Sequence, residues 1–304
     1  MATVLITGGT GLVGTAITKQ LLNRNYDVII LTRFPEKYSV DTPRLSYAAW
    51  DVENQVIDTD AILKADYIIH LAGANVGEKR WTSRRKNEIL ESRTKGSQLI
   101  VKALKENINN IKAIVSASAI GWYGPGDGAL FKETDPPSED FLGITCKDWE
   151  AGIDPVTSLG KRLVTFRTGI VLSKTGGVLK EFKRPLRFGI AAIMGNGRQV
   201  VSWIHIEDLV GLYIYAIENE KLHGVYNAVA PLPVTNKKLV LELAKKMKGK
   251  FYVSIFIPSV ILKIIFGEMS IEILKSATVS SQKIKKEGYT FLYPSIKSAM
   301  KQIK

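Results

Sequence analysis

The first apolar run, Val4-Leu5-Ile6, passes through Thr7 into three glycines spaced three apart, Gly8, Gly11 and Gly14. Leu12, Ala16, Ile17, Leu21 and Leu22 then recur at helical spacing, so the pattern predicts a strand, a glycine turn and a helix. Further apolar runs predict buried strands at 27–32, 45–49, 67–74, 111–118 and 162–172. Between them, Ile89, Gly96, Ile100 and Leu104 mark the core-facing stripe of a long helix from 82 to 104, with Thr82 or Ser83 as its cap. Residues 252–266 are mostly apolar. Pro258 and Lys263 fall inside that stretch, and it is shorter than the about 20 apolar residues a spanning helix needs. It predicts a core helix late in the chain, with an interfacial helix aided by lysines as the lesser alternative.

Composition fits this pattern. At 304 residues and 45% hydrophobic the chain can bury a full core, enough for one large α/β domain and a smaller appendage. Its one cysteine, Cys146, excludes an internal disulfide and fits a reducing compartment. Met1-Ala2 leads directly into the first strand without a cleavable leader, which predicts a cytoplasmic protein with no transmembrane segment. The net charge is +13, and residues 232–304 alone hold 14 Lys, no Arg, 4 Glu and no Asp. Lysines at helical spacing, such as Lys237, Lys238, Lys245, Lys246 and Lys248, read as a solvated basic face. Nucleic acid is therefore not an expected partner, while an acidic substrate or a membrane surface stays open.

The glycine turn carries the first candidate chemistry. Backbone N–H groups at a helix N-terminus, reached through glycines, bind a pyrophosphate, which makes Gly8, Thr10, Gly11, Leu12, Val13 and Gly14 a dinucleotide cradle. No metal site is expected. The strand at 27–32 ends at Arg33 with no acid beside it. An Arg there accommodates the 2′-phosphate of NADP, whereas a carboxylate would take the ribose hydroxyl of NAD, so NADP(H) is the expected cofactor. Asp51 either accepts from the adenine amino group or caps a turn. Leu71, Ala72 and Gly73 end the next strand with small side chains where a dinucleotide backbone needs room. His70, inside an apolar run, reads as packed, and Cys146 as buried and inert. Arg93 falls on the buried stripe of the long helix with no evident carboxylate, so it is expected to reach phosphate unless it snorkels to solvent.

Taken together, TGGTGLVG at 7–14, IIHLAGA at 68–74, SASAIGWYG at 116–124 and WIHIEDL at 203–209 resemble landmarks of the extended short-chain dehydrogenase/reductase superfamily. KRWT at 79–82, GNGRQ at 195–199 and the basic C-terminal segment resemble its atypical branch of NAD-dependent epimerase/dehydratase-like proteins. The resemblance spans essentially the whole chain. It implies an α/β fold with a Rossmann-type doubly wound parallel sheet and a smaller C-terminal α/β substrate domain. Residues 1–170 would form the NADP(H)-binding domain, with about 200–230 returning to it, and 171–304 mainly the substrate domain. It places Ser116 and Val171 beside the nicotinamide end of the cofactor. Ser118 would bind the substrate oxygen if one residue is inserted before Trp122-Tyr123-Gly124, and Ala119 would fall there otherwise. Arg93 stands where relatives usually hold an asparagine.

One departure matters for the reaction. Such enzymes use a Tyr-x-x-x-Lys pair to move the proton that accompanies hydride transfer. Aligning Glu150 with the family's glutamate puts Leu142 and Cys146 at the tyrosine and lysine positions, while Lys147 points about 100° away. Tyr123 is the best substitute proton donor. Lys180, Lys183, Arg184 and Arg187 line the segment that covers substrate in the family, Arg198-Gln199 could grip an anionic or sugar-like molecule, and the turn from His205 to Asp208 looks structural. The function expected is an NADP(H)-dependent oxidoreductase or epimerase-like enzyme on a small hydroxy or carbonyl compound. The alternative is a nucleotide-binding regulator with weakened chemistry, some relatives being named for cell or plastid division. Monomer and dimer both stay open.

Overall fold

Strand and helix alternate along the first half of the chain: β1 (Thr3–Thr7), α1 (Leu12–Asn23), β2 (Asp27–Thr32), β3 (Leu45–Asp51), β4 (Val56–Ile57), α2 (Thr59–Lys64), β5 (Tyr67–His70), α3 (Ser83–Glu106) and β6 (Ala113–Ala119). There follow β7 (Leu130–Phe131), α4 (Phe141–Ile153), β8 (Arg162–Thr168), β9 (Ile170–Leu172), α5 (Val178–Arg187), β10 (Ile190–Met194), β11 (Val200–Val201), β12 (Trp203–His205), α6 (Ile206–Glu218) and β13 (Gly224–Ala228). The chain closes with β14 (Val234–Thr235), α7 (Asn236–Lys248), β15 (Val253–Ile257), α8 (Ser259–Phe266), α9 (Ser270–Leu274), β16 (Thr278–Val279), α10 (Gln282–Lys286) and α11 (Ile296–Gln302). This is a computed structural model, and it describes residues 1–39, 42–126 and 128–303.

The main sheet runs β13-β8-β6-β5-β1-β2-β3-β4, parallel throughout except for the short β3–β4 pair. It is a Rossmann-type doubly wound sheet. Its order reverses between β1 and β5, and the crevice beyond the strand ends at such a reversal is where ligands bind in open α/β sheets. The central strands β1, β2, β5, β6 and β8 are buried on both faces, as the apolar runs predict. Val4, Ile6, Val28, Ile30 and Ile69 point to the core shared with α1 and α6. Leu5, Ile29, Leu31 and Ile68 point to the opposite core with α2 and α3. This two-residue alternation fixes the register, Thr7 lying opposite His70 and His70 opposite Ser116.

A third core joins α5, α7 and α11 around Trp203 and Leu243. Three stretches differ from their sequence reading, the first being the strand expected over 67–74, which ends at His70 and leaves Leu71, Ala72 and Gly73 beyond it. The run 162–172 is two strands, because the chain turns at Gly169, where a Cβ would stand 2.7 Å from the Ser202 carbonyl. β8 stays in the main sheet, and β9 pairs with β12 instead. The stretch 252–266 is not a core helix. It is β15, paired with β10, followed by α8, of which only Leu262 is buried.

Candidate functional site

Three elements converge at the sheet's reversal point. β1 delivers the glycine turn. Gly8 takes φ +70°, and a Cβ there would stand 3.1 Å from the backbone of Leu71 and Ala72. Gly14 is more constrained, because a Cβ there would lie 2.3 Å from the Gly8 carbonyl oxygen. These two glycines let α1 start directly against the end of β5. Gly11 is the N-cap of α1, with no side-chain cap and no acidic residue in the first turn. Thr10 and Gly11 are exposed, and Leu12 and Val13 are half-buried. The first N–H groups of α1 therefore face outward at the positive end of the helix dipole.

Behind the turn lies a polar relay that the sequence did not disclose. The Thr7 hydroxyl accepts from the N–H groups of Leu71 (3.1 Å) and Ala72 (3.2 Å) and pairs with His70 Nδ1 at 2.8 Å. His70 Nε2 meets the Ser97 hydroxyl on α3 at 3.2 Å. Thr7 thus ties β1 to the start of the Leu71–Ala72–Gly73 segment, and His70 is packed, as its apolar run suggested. Burial depresses the imidazole from 6.5 to about 3, so it is neutral. The unfolded chain takes up a proton below pH 6.5 that the folded chain refuses, so His70 costs nothing above that pH and progressively more as pH falls toward 3. Between about pH 6.5 and about pH 4.5 the loss should reach about 2 kcal/mol. Urea melts of wild type and His70→Asn across that interval check this, the variant showing a flatter pH dependence.

Arg93 reaches the same place from α3. Its Nη1 donates to the carbonyls of Ala74 (3.1 Å) and Ile89 (2.9 Å), and its guanidinium lies 4.8 Å from the Trp149 ring. A Cβ on Gly73 would touch its Cζ at 3.0 Å. Burial lowers its pKa to about 10, so it remains cationic at neutral pH. Among the described residues no carboxylate pairs with it, and both of its recorded hydrogen bonds use Nη1.

Beyond the end of β2, Arg33 is exposed, its guanidinium 5.9 Å from the Phe34 ring. Asp51 caps a turn. It accepts from the N–H groups of Glu53 (3.0 Å) and Asn54 (3.1 Å) and from the Asn54 side chain (2.8 Å). Those bonds, with the nearby charge of Arg33, hold its carboxyl below the usual range.

The opposite end of the crevice is built on a buried ion pair. Ser118 and Arg167 are register partners on β6 and β8. Arg167 grips Glu150 of α4 with two bonds of 2.8 and 2.9 Å and stacks 3.4 Å from the Trp122 ring centroid. Ser118 donates to the same carboxylate at 2.6 Å. Arg167 also donates to the Tyr123 hydroxyl at 3.2 Å, and that hydroxyl donates to Asn227 at 2.7 Å. Tyr123 is fully buried, and burial outweighs Arg167 in pushing its pKa up to about 12. The geometry thus corrects the expectation of Tyr123 as a proton donor: its hydroxyl is committed inside the core. Sequence reasoning missed Arg167. The signal available was an arginine inside the apolar run of β8, with a glutamate on the preceding helix.

Cys146 and Leu142 pack against Gly121, with the thiol 3.6 Å from the Ala119 carbonyl. Burial pushes that thiol up to about 11, so it is neutral. Ser116 is fully buried in β6, its hydroxyl 3.3 Å from the Ala117 carbonyl. Val171 is half-buried in β9, opposite Ile204. His205 caps α6, and the Asp208 carboxylate accepts from the N–H groups of Leu292 (2.6 Å) and Tyr293 (3.0 Å), so that turn anchors the C-terminal segment. Gln199 is buried, and its amide bonds the Met194 and Ile273 carbonyls. Exposed Arg198 lines an open cleft of about 810 Å³ with Asn196, Phe256, Pro258 and Leu274. Among the described residues no cluster of metal-binding side chains forms, and no helix is long and apolar enough to cross a membrane.

Comparison with known proteins shows the family of this chain. Residues 4–142 match the NAD dependent epimerase/dehydratase family, and residues 257–303 match a domain of unknown function, DUF1731. An epimerase family protein of Staphylococcus haemolyticus is 33% identical, the match covering 100% of this chain and 99% of that protein. The crystal structure of the human epimerase family protein SDR39U1 (isoform 2) with NADPH superposes with a TM-score of 0.85 at 29% identity, covering 99% of this chain and 98% of that one. A nucleoside-diphosphate sugar epimerase from Corynebacterium glutamicum gives 0.78 at 30% identity, covering 99% of this chain and 58% of that one.

Proposed function

The chain belongs to the epimerase family of NAD(P)-binding proteins, and from that premise we propose that it binds NADP(H) in the crevice between β1 and β5 and acts as an atypical short-chain oxidoreductase or epimerase. The observation that carries this reading is the uncapped, glycine-walled start of α1, where side chains at Gly8 and Gly14 would fill the cradle. The N–H groups of Leu12, Val13 and Gly14 would hold the pyrophosphate beside Thr10 and Gly11, with the free donors of Arg93 on the same anion. Arg33 would take the 2′-phosphate. Asp51, bound in its turn, would border the adenine. Leu71, Ala72 and Gly73 would let the dinucleotide pass, with Ser116 and Val171 near its nicotinamide. NADPH in the human relative's crystal structure supports the same cofactor.

Bound there, the nicotinamide would donate or accept a hydride. Ser118 would orient the substrate oxygen, held in place by Glu150, and Arg198 would meet an anionic or sugar-like part of a small hydroxy or carbonyl substrate in the cleft. A second reading rests on one specific observation. The side chains nearest the usual proton-transfer positions are an apolar leucine, a neutral thiol and a buried tyrosine. That set favours a nucleotide-binding regulator with little turnover.

Two measurements test the cofactor assignment and then separate these readings. Arg33→Ala should weaken NADPH binding about tenfold to a hundredfold, the worth of a charge-assisted phosphate contact, and leave NADH nearly unchanged. Equal losses for both nucleotides would remove the 2′-phosphate assignment. A fluorescence screen for NADPH consumption over carbonyl substrates then distinguishes enzyme from regulator, binding without turnover favouring the regulator.

A further inference from the structure

β15 and α8 place on the surface side chains that such a sequence ordinarily hides. Val260 and Ile264, like Ile261 and Ile265, are neighbours one turn apart on α8, and all four are exposed. Val253 and Ile255 are exposed on β15, which has β10 as its one strand partner among the described residues. At the other end of β15 two aromatic rings stand almost free, Phe188 at 85% and Phe251 at 87% exposure. The Val253 N–H donates to the Gly189 carbonyl at 2.9 Å, so the loops bearing the two rings lie side by side. An exposed apolar surface of this extent marks an interaction site.

The charges around it identify the partner. Residues 182–206 and 243–267 carry four and five Lys or Arg respectively, and no Asp or Glu. Arg187 and Lys250 flank the two exposed rings in sequence, and the Lys248 ammonium bonds the Arg187 carbonyl at 3.0 Å beside them. The Lys237 ammonium lies 5.7 Å from the Phe256 ring centroid, and Lys263 projects from α8 among its exposed isoleucines. A second copy of this chain would bring the same positive field against itself. Cations around protruding apolar tips match a layer of negative phosphate lying over hydrocarbon.

We propose that the face formed by the Phe188 and Phe251 loops, β15 and α8 docks on an anionic lipid surface, the aromatic and aliphatic side chains entering the headgroup boundary and the lysines and arginines meeting lipid phosphate. Phe256, Pro258 and Ser259 also line the open cleft, so docking would bring that cleft to the membrane.

Co-sedimentation of the full chain with phosphatidylglycerol-rich vesicles and with pure phosphatidylcholine vesicles tests this. The protein should partition at least about tenfold more onto the anionic vesicles, less so as salt rises toward about 0.5 M. The double variant Phe188→Ser, Phe251→Ser should lose about tenfold of that binding. Ile108→Ser, at an equally exposed isoleucine outside this face, should lose none. Both rings are exposed, so the double variant's melting temperature should match wild type and its loss would report docking. Equal partition onto both vesicle types, or undiminished binding by the double variant, would overturn the proposal. So would a wild-type dimer that the double variant converts to monomer, which would assign the face to a second copy. Salt-sensitive binding to an acidic polypeptide without vesicle binding would overturn it in favour of a protein partner.

Discussion

Gly14→Ala is expected to abolish nucleotide binding at micromolar concentrations. The new methyl group would stand 2.3 Å from the Gly8 carbonyl oxygen and 2.6 Å from Gly9 Cα. Both are backbone atoms, so neither can swing aside, and α1 must move off the glycine turn. A shift on the order of 1 Å would displace the N–H groups proposed to hold the pyrophosphate and cost about a hundredfold in affinity. Overpacking also costs about 1–3 kcal/mol of stability. Gly11→Ala is the matched control. Its Cβ would meet nothing closer than 3.4 Å, and its φ of −79° suits any residue. It should leave the melting temperature nearly unchanged while weakening the nucleotide about tenfold, because the methyl group would intrude on the ligand and not on the fold. Calorimetric titration and thermal melts on the two variants read these effects separately.

The second large effect concerns Arg167. It is 3% exposed, Glu150 12%, and the two share a bidentate bond. Arg167→Leu would leave the Glu150 carboxylate without its countercharge, remove the cation stacked on Trp122, and strip a donor from Tyr123. Removing one partner of such a pair costs about 3–5 kcal/mol, a large share of a domain's total stability. Adding Glu150→Leu to that variant should recover part of the loss, since an apolar pair avoids desolvating two charges. Urea melts of the two single variants and the double variant check this. A single-variant loss below about 1 kcal/mol would show that the pair is not structural. The double variant also frees Ser118 from Glu150, so its nucleotide affinity should stay intact while any turnover changes.

The distance over which each feature is encoded decides how much of this was legible in the sequence. The glycine turn, the strand before it and the helix after it lie within residues 3–23, and their spacing alone announced this strand–turn–helix unit. His70 was legible as packed because the residues on either side of it are apolar. The network of Ser118, Glu150, Arg167, Tyr123 and Asn227 was not legible, since it joins β6, α4, β8, the loop after β6 and β13. Tyr123 showed an available hydroxyl in sequence, and only its neighbours reveal that the hydroxyl is spoken for. Residues 252–266 failed for a different reason. Their hydrophobicity states what the chain would gain by burial, but not whether the rest of the fold supplies a cover. Here it covers Leu262 and leaves the faces of β15 and α8 bare. Cys146 is buried beside Leu142, as its sequence reading expected.

The central claim is that the crevice between β1 and β5 is an NADP(H) site selected by Arg33. Calorimetric titration of the unmodified full chain with NADPH and, separately, with NADH tests it most directly. The account predicts one NADPH per chain at micromolar affinity or better, and NADH weaker by at least about tenfold. Absence of binding by either nucleotide, or NADH binding as tightly as NADPH, would contradict it.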